Sequence, residues 1–256
     1  MEQRFEFGKN WARFLAHLND ARIAQAEQAL TAVAGDLCDK TFLDIGSGSG
    51  LSSLAAYRLG ATVHSFDYDP QSVACTQELR RRYGDTRWTV EQGSALDARY
   101  IAQLGLFDVV YSWGVLHHTG DMRAALDLAG RAVKPGGRLW VAIYNDEGRA
   151  SRRWHAIKRT YNHLPNALRS PFALAVMGPR EMAGIALDTL RGDPLRRFRR
   201  DRGMSWWTDV LDWVGGYPFE VASPEWMFDF YRARGFSLER LRTVNGYGCN
   251  EFVFHR

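Results

Sequence analysis

The chain has 256 residues, 46% of them apolar and 24% charged, with a formal net charge of +4 at neutral pH. This length and balance fit one large domain, or one domain with a sizeable insertion, and exclude a disordered or collagen-like chain. No run approaches the ~18 uninterrupted apolar residues of a membrane span, and residues 1–6 lack the apolar centre of a secretion signal. Cys38, Cys75 and Cys249 stand far apart and in no metal-ligand spacing, so they read as thiols of a reducing compartment with no metal. The cytoplasm is the expected location.

Residues 9–34 carry a helical pattern, with apolar positions at Trp11, Phe14, Leu15, Leu18, Ile23, Ala26, Leu30 and Val33. Asn10 and Trp11 open it, either as helix cap and core residue or as a cover over a ligand. Apolar and helical segments then alternate, with strands expected near 41–45, 62–66, 86–90, 107–112 and 138–144. That alternation predicts a parallel sheet with helices on both faces. The first strand runs into Gly46-Ser47-Gly48-Ser49-Gly50, a turn that brings backbone amides against a ligand at the C-terminal edge of the sheet.

This G-x-G-x-G spacing differs from the dinucleotide fingerprint, since Leu51 stands where its third Gly would be. Asp44, two residues before Gly46, would repel a pyrophosphate and suits a ligand with a cationic group. The second strand ends at Asp67, where a carboxylate accepts from both hydroxyls of a ribose. Tyr68 follows, placed either to pack on a base or as an ordinary half-buried ring.

Past the fifth strand lies an insertion, roughly 146–221, too long for a plain crossover. Residues 149–203 hold 13 Arg and Lys against 4 Asp and Glu, a net of +9; with the chain at +4, the remainder is about −5. Leaving the carboxyl edge of the sheet, this insertion reads as a basic helical lid. Arg196, Arg197, Arg199 and Arg200 either grip an anionic acceptor or form a solvated face. The apolar residues 171–177 among these cations also fit peripheral contact with an anionic membrane. Nucleic acid is not expected, because no aromatic stacking platform accompanies the charge. Trp206, Trp207, Trp213 and Tyr217 suit an acceptor-pocket wall or a core. The chain closes with two strands around Asn245-Gly246-Tyr247-Gly248, a hairpin by its turn chemistry.

Motif by motif over residues 40–145, the chain resembles the class I S-adenosylmethionine-dependent methyltransferases, and within them the small-molecule quinone, sugar and natural-product O-methyltransferases. Residues 43–50 look like the first motif, which implies that Asp44, Gly46, Ser47, Gly48 and Gly50 hold the methionine end of the cofactor. Asp67 sits where the ribose-binding acid sits. Gly93-Ser94-Ala95-Leu96-Asp97 matches the third motif, implying that Ser94, Ala95 and Leu96 line the adenine, although the acid often found there is displaced to Asp97. Residues 107–113 match the fourth strand, with Ser112 and Trp113 facing the cofactor, and residues 133–137 match the turn before the fifth. The N-terminal segment, with Asn10 and Trp11, would close over the pocket.

The resemblance implies a Rossmann-like seven-stranded sheet with an antiparallel final hairpin. The implied units are a cap (1–35), a cofactor-binding core (36–145), the lid (146–221) and a C-terminal completion of the sheet (222–256). It also places Val115-Leu116-His117-His118 beside the transferred methyl group. His titrates near neutrality, so His117, or else His118, is the candidate base, with Asp146 as its orienting acid and Tyr144 and Asn145 at the acceptor. Two acceptor classes follow, a sugar or glycan precursor and a phenol or quinone at the membrane surface. A cofactor-binding regulator without turnover is the contrasting class.

Overall fold

The computed structural model describes residues 18–190, 192, 206–246 and 248–256, without the side chains of residues 180, 206–209 and 212. Seven strands form one sheet: β1 (Thr41–Ile45), β2 (Thr62–Asp67), β3 (Trp88–Gln92), β4 (Phe107–Trp113), β5 (Val133–Tyr144), β6 (Ser237–Arg242) and β7 (Cys249–His255). Their order is β3-β2-β1-β4-β5-β7-β6. The first five run parallel and β7 lies antiparallel between β5 and β6. The chain reverses direction across the sheet between β1 and β4, so the crevice outside their carboxyl ends is where an open α/β sheet binds ligands.

Side chains alternate across each strand and feed two apolar layers. From β1, Leu43 and Ile45 pack with helices α4 (Ala98–Leu104), α5 (Met122–Arg131) and α9 (Pro224–Arg232). Phe42 faces the other way, onto α1 (Asp20–Ala34), α2 (Leu51–Arg58) and α3 (Pro70–Tyr83). Local signals set the helix starts: Asn19, Asp69, Asp97, Asp121 and Ser223 each accept from an amide of the first turn.

The amino-edge of the sheet is tied shut. Asp108 Oδ2 accepts from Thr41 N (2.8 Å), Thr41 Oγ1 (2.6 Å) and Lys134 Nζ (2.8 Å). Burial opposes ionisation of Asp108, but Lys134 and Thr41 outweigh it and hold the carboxyl below its usual range. The opposite, carboxyl edge of β1 and β4 is where the glycine loop and the candidate site lie.

Two strand starts differ from the sequence expectation. β3 starts at Trp88 instead of 86, because Asp85 Oδ1 accepts from Arg87 N and makes a turn of residues 85–87. β5 starts at Val133 instead of 138. Gly136 N donates to Arg256 O and Arg256 N to Gly137 O, which zips the expected turn onto the end of the chain.

The insertion contributes α6 (Arg149–His163), α7 (Asn166–Leu190) and α8 (Trp206–Gly215). They share a separate apolar cluster containing Trp154, Tyr161, Ala173, Met177, Val210, Val214, Tyr217 and Phe219. A bridge between Asn145 and Ala222 closes the insertion back onto the end of β5.

Candidate active site

The glycine loop joins β1 to α2 by a sharp reversal. Gly46 (φ 79°) and Gly50 (φ 80°) both take the left-handed conformation that L side chains avoid. A Cβ on Gly46 would lie 2.4 Å from the Val115 side chain, and one on Gly50 3.0 Å from Thr76. The loop amides are engaged: Gly46 N and Ser47 N donate to Phe66 O, Gly48 N to Asp67 Oδ2, and Gly50 N to Ser47 O. Four of the five loop amides are thus spent within the chain rather than facing a ligand. The loop offers close approach and a pre-aimed carboxylate instead.

That carboxylate is Asp67. Oδ2 is held by Gly48 N and Oδ1 by Asp69 N, each at 2.9 Å. Burial raises its pKa, while these backbone donors act in the opposite sense. Asp44 is 2% exposed and turns towards α2, where Ser53 Oγ donates to its Oδ2 at 2.5 Å. Ser65 Oγ donates to Ser53 Oγ and Trp88 Nε1 to Ser65 Oγ, completing a buried hydroxyl chain. Burial pushes Asp44 up to about 7, Ser53 pulls it down, and the charge of Asp67 adds to the rise.

Among the described residues neither Asp44 nor Asp67 has a basic partner. Two buried acids in Coulombic range and without a cation make a site that lacks positive charge. S-adenosylmethionine fits, since its sulfonium and α-ammonium bring positive charge and its ribose presents two hydroxyls. Among the described residues no cluster of His, Cys, Asp or Glu is arranged to hold a metal ion.

The adenine side is less polar than the resemblance implies. Ala95 and Leu96 pack against the core and Ser94 Oγ accepts from Leu96 N. The displaced acid, Asp97, accepts from Arg99 N and Tyr100 N as the cap of α4, so it is spent on the helix. Gly93 is needed because Tyr100 lies against it, 2.4 Å from a would-be Cβ. Tyr68 is 58% exposed at the rim. Ser112 is fully buried and donates to Ile45 O at 2.9 Å, whereas Trp113 is 48% exposed. Asn10, Trp11, Arg196, Arg197, Arg199 and Arg200 lie outside the described residues, as do the side chains of Trp206 and Trp207.

Beyond β4, Leu116–His118 form a single 3-10 turn. His117 is fully buried and His118 half-buried. His117 Nδ1 accepts from Tyr144 N at 3.4 Å, and its buried Nε2 has no hydrogen-bond partner among the described residues. His118 Nδ1 lies 2.6 Å from Pro218 O. The two rings meet edge to face at 4.4 Å, and Tyr144 lies 3.9 Å from His117 and 5.4 Å from His118. Leaving a buried polar atom unpaired costs about 1–3 kcal/mol; Trp140 Nε1 and Trp213 Nε1 are buried in the same way.

Asp146 does not orient either ring. It is exposed and accepts from Gly148 N at 2.8 Å, because the chain turns to solvent once Asp146 N has paired with Ala222 O. Asn145 instead ties β5 to the hairpin, accepting from Asn250 Nδ2 at 2.8 Å and donating to Glu147 at 2.5 Å. Tyr217 is buried and pairs with His155 at 5.7 Å.

Tyr144, which packs on both histidines, also borders a small cleft lined by Trp154, Trp213 and Phe219 with Asn145, Glu147 and Ser151. The ring of Tyr144 lies 5.5 Å from Trp213 and 5.3 Å from Phe219. Sequence reasoning missed Lys158, which is fully buried here. Its Nζ donates to Trp213 O and stands 4.5 Å from the Trp213 ring and 5.0 Å from Phe219. A signal existed: Lys158 interrupts the helical stripe Trp154, Lys158, Tyr161, whose other members are core residues.

Residues 43–139 match a family model described as a methyltransferase domain. Over 155 residues the chain is 31% identical to the ubiquinone biosynthesis O-methyltransferase of Xanthomonas oryzae pv. oryzae, covering 59% of this chain and 53% of that protein. The chain therefore spans about half the length of the curated relatives it matches. Among solved structures, magnesium protoporphyrin IX methyltransferase from Synechocystis with bound S-adenosylhomocysteine aligns at a TM-score of 0.53 and 16% identity, over 91% of this chain and 81% of that one. An S-adenosylmethionine-dependent methyltransferase from Mesorhizobium loti gives 0.54 and 16%, over 90% and 98%. These likenesses show a shared fold.

Proposed function

We propose that this chain, whose residues 43–139 match a methyltransferase domain, is an S-adenosylmethionine-dependent enzyme that transfers a methyl group to a hydroxyl of a small, ring-shaped acceptor. The observation that carries the reading is the pair of buried acids at the sheet edge, Asp44 and Asp67, which have no basic partner among the described residues, together with two histidines packed against Tyr144 beyond β4. S-adenosylmethionine supplies an electrophilic methyl group, held by Asp67 at the ribose and by the Asp44 end at the charged tail. The chain's residues align the acceptor, keep water out and handle the hydroxyl proton. Positioning and desolvation carry much of such a displacement, and a base adds about 10²–10⁴-fold.

A phenolic ring is the favoured acceptor. The rings of Tyr144, Trp154, Trp213 and Phe219 cluster at the end of β5, beside Glu147 and Ser151, and the curated relatives are named for ubiquinone biosynthesis. The outer face of α7 supports supply from a membrane surface. Between Pro171 and Leu190 its exposed described residues are apolar except Thr189. Leu174, Met182, Leu187 and Leu190 are 54–84% exposed. Beside it, Arg149, Arg152, Arg153 and Arg159 are exposed on α6. An apolar face flanked by cations suits an anionic lipid surface. No described helix is long and apolar enough to cross a membrane.

A phosphate-linked sugar is the second reading, favoured by the net charge of +9 over residues 149–203. Simple catechols and monosaccharide phosphates, each incubated with the donor, separate the two. Release of S-adenosylhomocysteine with a methylated catechol product supports the phenol. Turnover of the sugar phosphate alone supports the second, and charge reversal at Arg196, Arg197, Arg199 and Arg200 should then raise its KM. No turnover with any hydroxyl acceptor, despite tight donor binding, supports a regulator.

A further inference from the structure

A row of hydrogen bonds runs from β3 to the crevice through side chains that the fold keeps dry. Trp88 on β3, Ser65 on β2 and Ser53 on α2 are fully buried, and Asp44 on β1 is 2% exposed. Trp88 Nε1 donates to Ser65 Oγ at 2.9 Å, Ser65 Oγ to Ser53 Oγ at 2.7 Å, and Ser53 Oγ to Asp44 Oδ2 at 2.5 Å. The row threads the apolar layer that holds Phe42, Leu54, Val63 and Val90, where a polar atom is costly unless paired.

The indole decides which way the row points. An indole N–H only donates, so Ser65 Oγ accepts there and turns its single O–H to Ser53. Ser53 Oγ, accepting from Ser65, gives its own O–H to Asp44. The reverse order would need an acceptor at the β3 end, and an indole offers none. Oδ2 therefore accepts in both protonation states of Asp44, and a proton on the carboxyl sits on Oδ1.

We propose that Trp88, two strands away from Asp44, is a positioning residue for the S-adenosylmethionine site: its N–H fixes the row, and the row leaves Asp44 Oδ1 as the oxygen that holds or releases a proton when the methyl donor binds. The inference rests on the assignment of Asp44 to the charged tail of that donor. Aligned O–H dipoles favour the carboxylate, and an arriving positive charge favours it further. On binding, the Oδ1 proton passes to the buffer while Ser53 keeps its bond to Oδ2. Asp67, at the end of β2, opposes the ionisation of Asp44. Tyr111, its neighbour on β4, is raised by burial and stays neutral. From α2, Ser53 faces it with a hydroxyl alone.

The indole itself reports on the row without any ligand. In full-length apoprotein labelled with ¹⁵N-tryptophan, the Trp88 N–H resonance, assigned with W88F, should titrate between pH 5 and pH 9 and cease to do so in D44N. A resonance that stays still, or that titrates alike in D44N, overturns the proposal. Calorimetry with S-adenosylmethionine gives the second test. Without the Ser53 bond Asp44 ionises at higher pH, so S53A should bind about tenfold more weakly than wild type at pH 6 and almost equally at pH 8.5. W88F should shift the same way by less, and in the D44N background it should leave the affinity unchanged. A merely structural lesion weakens binding equally at every pH. That outcome, or a W88F effect that survives D44N, overturns the proposal. S53A, an alanine in a helix, keeps the test available if W88F does not fold. Should the wild type bind no S-adenosylmethionine, the cofactor reading fails while the indole titration still decides the row.

Discussion

Asp44 shows how one side chain links stability to binding. Its carboxyl is pushed up to about 7 by burial, from 3.8 in an unfolded chain. Between these values the folded protein keeps a proton that the unfolded chain has lost, so stability falls as pH rises from about 4 to about 7. Asp44→Asn removes that slope and should raise the apoprotein's stability near neutral pH by on the order of 1–2 kcal/mol, measured by urea unfolding at pH 5 and pH 8. The cationic donor prefers the ionised carboxylate, so its affinity should climb with pH through 7 in the wild type and stay flat in the variant. Both acids were legible in the sequence, because strand ends and loop spacing fix their place. What the histidine nitrogens face was not, since it depends on Tyr144 N and Pro218 O, 27 and 100 residues away. Asp146 misled for a related reason: sequence adjacency to the end of β5 says nothing of where the side chain goes after the bridge to Ala222.

At the scale of elements, the β1–α2 loop is the least forgiving part. Gly46→Ala combines a left-handed φ with a 2.4 Å approach to Val115. Val115 precedes the histidine turn, so relief of the clash must displace that turn. Donor affinity and turnover should both fall by about tenfold or more, read by calorimetry and product formation, and near-wild-type values would detach the loop from the site. For α7, Ser at Leu174, Met182 and Leu190 should abolish co-sedimentation with anionic vesicles while leaving turnover of a water-soluble catechol intact. Each of those side chains forfeits on the order of 1.5–3 kcal/mol of burial when kept in water. Strand positions were readable because parallel strands are nearly continuous apolar runs. The starts of β3 and β5 were not, because the Asp85 turn and the pairing of Gly136 and Gly137 with Arg256 are contacts that no local pattern reveals.

Across the whole molecule the charges are segregated. Asp44 and Asp67, without a basic partner among the described residues, lie at the crevice of the sheet, whereas residues 149–203 carry a net charge of +9 in a chain whose total is +4. The sheet edge opposite the site is locked by Thr41, Asp108 and Lys134, so the stable end and the working end are separate. Hydrophobic period and motif spacing disclosed the sheet, the insertion and the closing hairpin; the aromatic pocket and buried Lys158 emerge only when α6 and α8 are packed together. The most direct test of the central claim is calorimetric titration of S-adenosylmethionine into the wild-type protein and into Asp67→Ala. Saturable one-to-one binding to the wild type, weakened by about 10²-fold or more in the variant, is the predicted result. Equal affinity in the two proteins, or no binding of the sulfonium alongside binding of a nicotinamide dinucleotide, would contradict it.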